Sequence, residues 1–102
     1  MRTVFEIMSQ EVLPCVRAQA AKKLMETGLS QKQIAERLGL SQPAISQYKR
    51  DLRGRKTGVF ADYPRLLEEA RQIAHRIAAG EISMDQAHGE IFAACSQHLV
   101  QK

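Results

Sequence analysis

The segment that decides the fold runs from residue 29 to residue 50 and reads LSQKQIAERLGLSQPAISQYKR. Ser30 stands three residues before Gln33, which is the spacing of a capping box at the start of a helix. Gly39 can adopt the left-handed conformation that ends a helix in a tight turn. Ser41 follows the turn and can cap a second helix. The segment therefore predicts two short helices joined by a tight turn.

The small and apolar residues of this segment restrict it further. Ala35 is small at the position where two such helices nearly touch, and Pro43 falls in a first turn, where no intrahelical hydrogen bond is needed. A hairpin that packs only against protein is the alternative, but the outward side of the second helix is polar and rich in hydrogen-bond donors. The residues predicted to form the shared core of the two helices are Ile34, Leu38, Leu40, Ala44, Ile45 and Tyr48.

These residues resemble the DNA-binding helix-turn-helix of phage-repressor-like (Xre-type) transcriptional regulators. The wider run from Glu11 to Gly54, together with AAGEISMDQAHGEIFAACSQHL near the C-terminus, is similar to a group of short predicted regulators common in archaea. The resemblance implies an all-α, λ-repressor-like fold. It also implies sequence-specific binding to double-stranded DNA.

The resemblance further implies roles for two glutamines. Gln31 would contact a phosphate and support Gln42, which would read an adenine. The chemistry agrees, because helix N-termini offer amides to phosphate and glutamine can pair with the N6 and N7 edge of adenine. Pro43 has no donor, so a base contact there would be apolar, for example with a thymine methyl group. The predicted base-reading residues are Ser41, Gln42, Pro43, Ser46, Gln47 and Arg50.

Positive charge is concentrated in the half of the chain that holds this segment. Residues 1–60 contain eleven basic and five acidic residues, whereas residues 61–102 contain four and six. KRDLRGRK, residues 49–56, has five bases and one acid, which suits a polyanion, although a solvated loop that keeps the protein soluble is the alternative. The predicted phosphate contacts are Gln31, Lys32, Lys49, Arg53, Arg55 and Lys56.

The flanking sequence predicts further helices, about six in total. Apolar spacing, with Phe5 among the apolar positions, predicts helices over Thr3–Val12 and Pro14–Thr27, interrupted at the proline. Beyond a charged, glycine-containing linker, Asp62 is predicted to cap one helix, and Ser83 with Gln86 another. We therefore predict a helix-turn-helix DNA-binding domain over residues 1–57 and a C-terminal two-helix hairpin over residues 58–102.

The hairpin is the candidate dimerisation element, because a single recognition helix covers too few base pairs to select a site. Its apolar stripes could instead be buried within the monomer, and the Thr3–Val12 helix could join the dimer contact. The predicted function is a homodimeric transcriptional regulator, a repressor, acting on a palindromic operator. The alternative is an antitoxin-like or adaptor module whose hairpin binds a partner protein. The stripes comprise Leu66, Leu67, Ala70, Ile73, Ala74 and Ile77, then Met84, Ala87, Ile91, Ala94, Cys95 and Leu99.

Other functional classes find little support in the sequence. Cys95 and His98 are spaced as half of a tetrahedral metal site, with Cys15 a further candidate ligand, but cysteine on an apolar helix face is more often a core residue. We expect thiols in a reducing cytoplasm, no metal and no cofactor. The sequence has no phosphate-binding glycine loop and no nucleophile elbow, so we expect no enzyme. No apolar run approaches the ~20 residues of a membrane span, and the N-terminus does not read as a signal peptide, so a cytoplasmic protein is expected.

Overall fold

The computed structural model describes residues 3–50 and 58–100, and of Lys49, Arg50 and Val100 it describes the backbone alone. Within these ranges every regular element is helical, as the sequence predicts, and no strand occurs. None of the described helices is long and apolar enough to span a bilayer. The elements are α1 (Val4–Ile7), a π-helical stretch (Met8–Val12), α2 (Leu13–Glu26), α3 (Gln31–Leu38), α4 (Gln42–Arg50), α5 (Val59–Asp62), α6 (Pro64–Ala78) and α7 (Met84–Val100).

The N-terminal segment is one continuous helix, so the predicted interruption at Pro14 is wrong. Pro14 lies in the first turn of α2, and the π-helical stretch comes directly before it. There the Leu13 amide donates to the carbonyl of Met8, five residues back. Proline has no amide hydrogen, and its ring collides with the carbonyl four residues back in a regular helix. The wider π turn relieves both problems, so the chain passes the proline without a break.

The core forms where α2 packs against α6, with α3 and α4 on another side of α2 and α7 against α6. The apolar stripes of the hairpin face this core within the monomer. The sequence left open whether they would be buried in this way or in a dimer contact. Phe5, one of the apolar positions that predict the first helix, is 66% exposed, and Phe92 on α7 is 49% exposed. The fully buried side chains with the largest volumes are Leu24, Ile34, Leu38, Ile45, Leu66, Ile91, Val12, Val16 and Cys95.

The start of the hairpin differs from the prediction. Asp62 does not cap the long helix but ends the short helix α5, and Tyr63 is the residue before α6. The carboxylate of Glu11, in the π-helical stretch, accepts a hydrogen bond from the amide of Val59 at 2.9 Å. Glu11 thus ties the start of α5 to the N-terminal helix.

The start of α7 agrees with the prediction. The Ser83 hydroxyl accepts from the Gln86 amide at 3.1 Å, and the Gln86 side chain accepts from the Ser83 amide at 2.9 Å. This reciprocal pair satisfies two backbone donors at the start of the helix.

Candidate nucleic-acid interface

The N-terminus of α3 is organised by the predicted capping box. The Ser30 hydroxyl accepts from the Gln33 amide at 3.1 Å, and Gln33 Oε1 accepts from the Ser30 amide at 2.9 Å. The amides of Gln31 and Lys32 occupy the first two helical positions, where no intrahelical acceptor exists. Two backbone donors and the exposed Lys32 side chain therefore lie together at this end of α3.

The turn between α3 and α4 depends on Gly39. Its backbone is left-handed, with φ 69° and ψ 34°, as the sequence predicts. The amides of Gly39 and Leu40 both donate to the carbonyl of Ala35, the latter at 2.9 Å. Leu40 is half-buried against the core. The turn therefore satisfies the end of α3 and sets the direction in which α4 leaves it.

Helix α4 has a buried inner side and an exposed outer side. Ile45 is fully buried, and Tyr48 is half-buried against the core. The Ser41 hydroxyl accepts from the Ala44 amide at 3.3 Å, which caps the helix as predicted. With its oxygen engaged in this way, Ser41 retains its hydroxyl proton for any outside partner. Among the predicted base-reading residues whose side chains are described, those exposed to solvent are Ser41, Gln42, Pro43 and Gln47.

Two of the predicted contact residues bond to each other across the two helices. The hydroxyl of Ser46 donates to Oε1 of Gln31 at 2.9 Å, and both side chains are half-buried. Ser46 was predicted to read a base and Gln31 to contact a phosphate. The structure thus joins one residue from each predicted set. Gln31 and Gln42 lie at the starts of α3 and α4, and no hydrogen bond is described between them.

Several of the predicted contact residues cannot be placed. Lys49 and Arg50 belong to α4, but their side chains are not among those described. Arg53, Arg55 and Lys56 lie outside the described residues. Their roles remain predictions from the sequence.

One of the candidate metal ligands, His98, pairs with a carboxylate. Nε2 of His98 lies 2.5 Å from Oε2 of Glu69, a residue that the sequence analysis did not single out. Burial raises the pKa of the Cys95 thiol from 9.0 to about 11, and the charge of Glu69 adds to this shift. Cys95 is therefore a protonated core thiol at neutral pH, and Cys15 is also buried. Among the described residues, no three His, Cys, Asp or Glu side chains are grouped to hold a metal ion.

One further residue ties α3 to the hairpin. Nη2 of Arg37 donates to the carbonyl of Ala78, at the end of α6, at 3.4 Å. A cation at a helix C-terminus is favourable, because the unpaired carbonyls there carry partial negative charge. Sequence reasoning missed this contact, since the partners are 41 positions apart and neither belongs to a recognisable motif.

Comparison with known proteins bears on this part of the chain. Residues 19–57 match the family model described as helix-turn-helix, the family of Xre- and λ-repressor-like proteins. The match contains the whole of α3 and α4 but covers less than half of the chain. No curated protein and no solved structure matches the chain significantly. Residues 19–57 are thus similar to helix-turn-helix domains, which are DNA-binding regulatory units rather than an enzyme family, whereas the likeness to short archaeal regulators remains a prediction.

Proposed function

We propose, starting from the helix-turn-helix domain at residues 19–57, that the chain is a sequence-specific DNA-binding transcriptional regulator. One observation carries the proposal: α4 buries Ile45 completely while it leaves Gln42 and Gln47 exposed. A helix whose outer side packed against a partner protein would present apolar side chains there. Here the outer side offers amide donors and acceptors of the kind that distinguish base pairs in the major groove.

In this proposal α4 enters the major groove with its N-terminal residues against the base edges. Gln42 reads an adenine through its side-chain amide, and Gln47, five residues further along α4, is also exposed. Pro43 offers only apolar contact, which suits the methyl group of a thymine. Arg50 would extend the reading surface at the end of α4.

The phosphate backbone is held from the flanks of α4. The amides of Gln31 and Lys32 at the start of α3 face one phosphate, together with their side chains. Lys49, Arg53, Arg55 and Lys56 supply positive charge that is insensitive to base sequence. These contacts raise the affinity for any duplex, while Gln42 and its neighbours on α4 supply the selectivity.

The proposal includes a cytoplasmic homodimer that binds a palindromic operator. The bound dimer would repress transcription by excluding polymerase from the DNA. The apolar stripes of α6 and α7 are buried within the monomer, so a dimer must use another surface. Among the described residues, the exposed large apolar side chains are Phe5 and Phe92. Phe5 lies on α1 and Phe92 on α7, and these two helices contact each other. We place the symmetric contact on this α1–α7 surface, and half-sites one helical turn apart would require the two recognition helices to lie about 34 Å apart.

Selection of bound duplexes from a random-sequence library tests the function. We expect two inverted half-sites, with centres about one helical turn apart. Recovery of no duplex at low salt would refute DNA binding. Recovery of single, unpaired half-sites would refute the palindrome.

Replacement of Gln42 by Ala tests the reading of a base. We expect a loss of about 1–3 kcal/mol that is confined to one base pair of each half-site. Gln10→Ala is the matched control, because Gln10 is an exposed glutamine far from α4 in sequence. An equal loss on specific and shuffled duplexes would contradict the assignment of Gln42.

Sedimentation equilibrium tests the dimer surface. Phe5→Glu should shift the protein toward monomer, because a charge cannot be buried without cost in an apolar contact. Gln10→Glu introduces the same charge at an exposed site and should leave the association unchanged. Equal behaviour of the two variants would exclude the α1–α7 surface.

A further inference from the structure

The hydrogen bond between Ser46 and Gln31 connects the two halves of the proposed DNA-contacting surface. A serine within a helix can donate its hydroxyl proton to a carbonyl in the preceding turn. Ser46 instead donates to Oε1 of Gln31, 15 positions earlier in the chain, at 2.9 Å. The bond is partly shielded from water, since both side chains are half-buried.

The chemistry of a primary amide fixes what this bond does to Gln31. The side chain has an acceptor oxygen on one branch and an NH₂ group with two donors on the other. Because Ser46 engages the oxygen, the NH₂ branch is directed away from Ser46. Gln31 occupies the first position of α3. Its side chain therefore starts beside the backbone amides of Gln31 and Lys32, which have no intrahelical acceptors. An anion at this end of α3 could accept from the Gln31 NH₂ group and from these two backbone amides.

We propose that Ser46 is a positioning residue, which acts through Gln31 to hold the Gln31 NH₂ group toward a DNA phosphate, and that it does not read a base. This inference rests on the proposed function. The Ser46 hydroxyl proton is already used within the protein, and the residue lies on the side of α4 that faces α3. Base reading on this part of α4 falls to Gln42, Pro43 and Gln47, whose side chains are exposed.

A fixed Gln31 also lowers the cost of binding. A glutamine side chain that is free in the unbound protein loses rotamer freedom when it contacts a phosphate. The bond to Ser46 imposes that order before DNA arrives. It also ties the start of α3 to the middle of α4, so the phosphate contact and the reading helix keep one relative position.

Fluorescence anisotropy with two duplexes tests the inference. One duplex is recovered from the random-sequence library, and the other has the same base composition in a shuffled order. Ser46→Ala should weaken binding to both duplexes by the same factor, on the order of 3- to 10-fold. The salt dependence should not change, because no charged group is lost. Ser46→Thr keeps the hydroxyl and should restore most of the affinity. Ser9→Ala, at an exposed serine whose hydroxyl bonds to the carbonyl of Glu6, is the matched control.

A double-mutant cycle tests whether Ser46 acts through Gln31. Gln31→Ala should weaken both duplexes, and adding Ser46→Ala to it should cause no further loss. Gln31→Glu retains an acceptor for Ser46 but replaces the donors with an anionic oxygen, so it should also weaken both duplexes. This variant tests the orientation even if Ser46→Ala proves too unstable to assay, because it leaves the Ser46 hydroxyl in place.

Two results would overturn the inference while leaving the proposed function intact. One is a Ser46→Ala loss confined to a single base pair, which would make Ser46 a base-reading residue. The other is full additivity of the Ser46 and Gln31 losses, which would make them independent. If the wild-type protein bound neither duplex, the proposed function itself would fail, and this inference with it.

Discussion

Replacement of Gly39 by Ala isolates the energetic cost of the turn between α3 and α4. Gly39 has a left-handed backbone with φ 69°. A Cβ atom added at Gly39 meets no atom within 4 Å, so steric contact with the rest of the protein adds nothing. The remaining cost is that of an alanine in the left-handed region, about 1–2 kcal/mol. Reduced entropy of the unfolded chain offsets part of it, by about 0.4–1 kcal/mol.

A net loss of about 1 kcal/mol should lower the thermal midpoint by about 4–8 °C in a domain of this size. Far-UV circular dichroism during heating and during urea titration measures both quantities. Gly39→Asn should recover part of the loss, because asparagine enters the left-handed region more readily than alanine. The DNA affinity of the folded Gly39→Ala protein should change little, since the substitution leaves the outer side of α4 intact.

Gly89→Ala is the matched control. Gly89 lies inside α7, its φ is not positive, and an added Cβ again meets no atom within 4 Å. Alanine is the better helix former by about 0.5–1 kcal/mol, so this variant should be more stable than the wild type. The stability of each variant is measured at a protein concentration at which sedimentation shows that it has the same oligomeric state as the wild type. A shift of the same sign for Gly39→Ala and Gly89→Ala would refute the assignment of the loss to the left-handed backbone.

Three further predictions concern other parts of the chain. Gly58→Ala should cost more than Gly39→Ala in urea unfolding, because φ is also positive and the new Cβ would collide with the Glu11 carboxylate; a smaller cost would contradict this. The Cys95 pKa of about 11 exceeds the 9.0 of the unfolded thiol, so the unfolded state ionises first as pH rises. Stability should therefore fall between about pH 9 and 11, by up to about 1.4 kcal/mol per pH unit, with a smaller slope in Cys95→Ala. Arg55→Ala should weaken specific and shuffled duplexes alike and reduce the slope of log affinity against log salt by about 0.9, whereas an unchanged slope would remove Arg55 from the phosphate contacts.

Features that depend on nearby residues could be predicted from the sequence. The capping box of Ser30 with Gln33 involves residues three positions apart, and the left-handed turn requires only Gly39 itself. The inner sides of α3, α4 and α6 follow from helical periodicity. Each of these signals lies within one or two turns of helix, where short-range physical chemistry decides the structure.

Features that depend on the packing of distant segments could not be predicted. A proline inside a helical pattern indicates a helix break, yet at Pro14 a π turn keeps the helix continuous, and residues on both sides of the proline pack into the same core. From its position in the second helix of the motif, Ser46 was predicted to read a base. Its bond to Gln31 emerges only when α3 and α4 are brought together. The pairing of Glu69 with His98 joins two helices in the same way.

The polar contacts between distant segments bear on how a dimer would set the spacing of its half-sites. Ser46 ties α4 to α3 through Gln31, and Arg37 ties α3 to the end of α6. Glu11 accepts a hydrogen bond from the amide of Val59 and so ties the start of α5 to the N-terminal helix. Helix α4 is therefore connected to the hairpin through packed and hydrogen-bonded elements of the described residues. In the proposed dimer, the distance between the two recognition helices follows from the α1–α7 contact and from these connections. In the same proposal, the basic residues of the segment 49–56 contribute affinity and do not set the spacing of the operator.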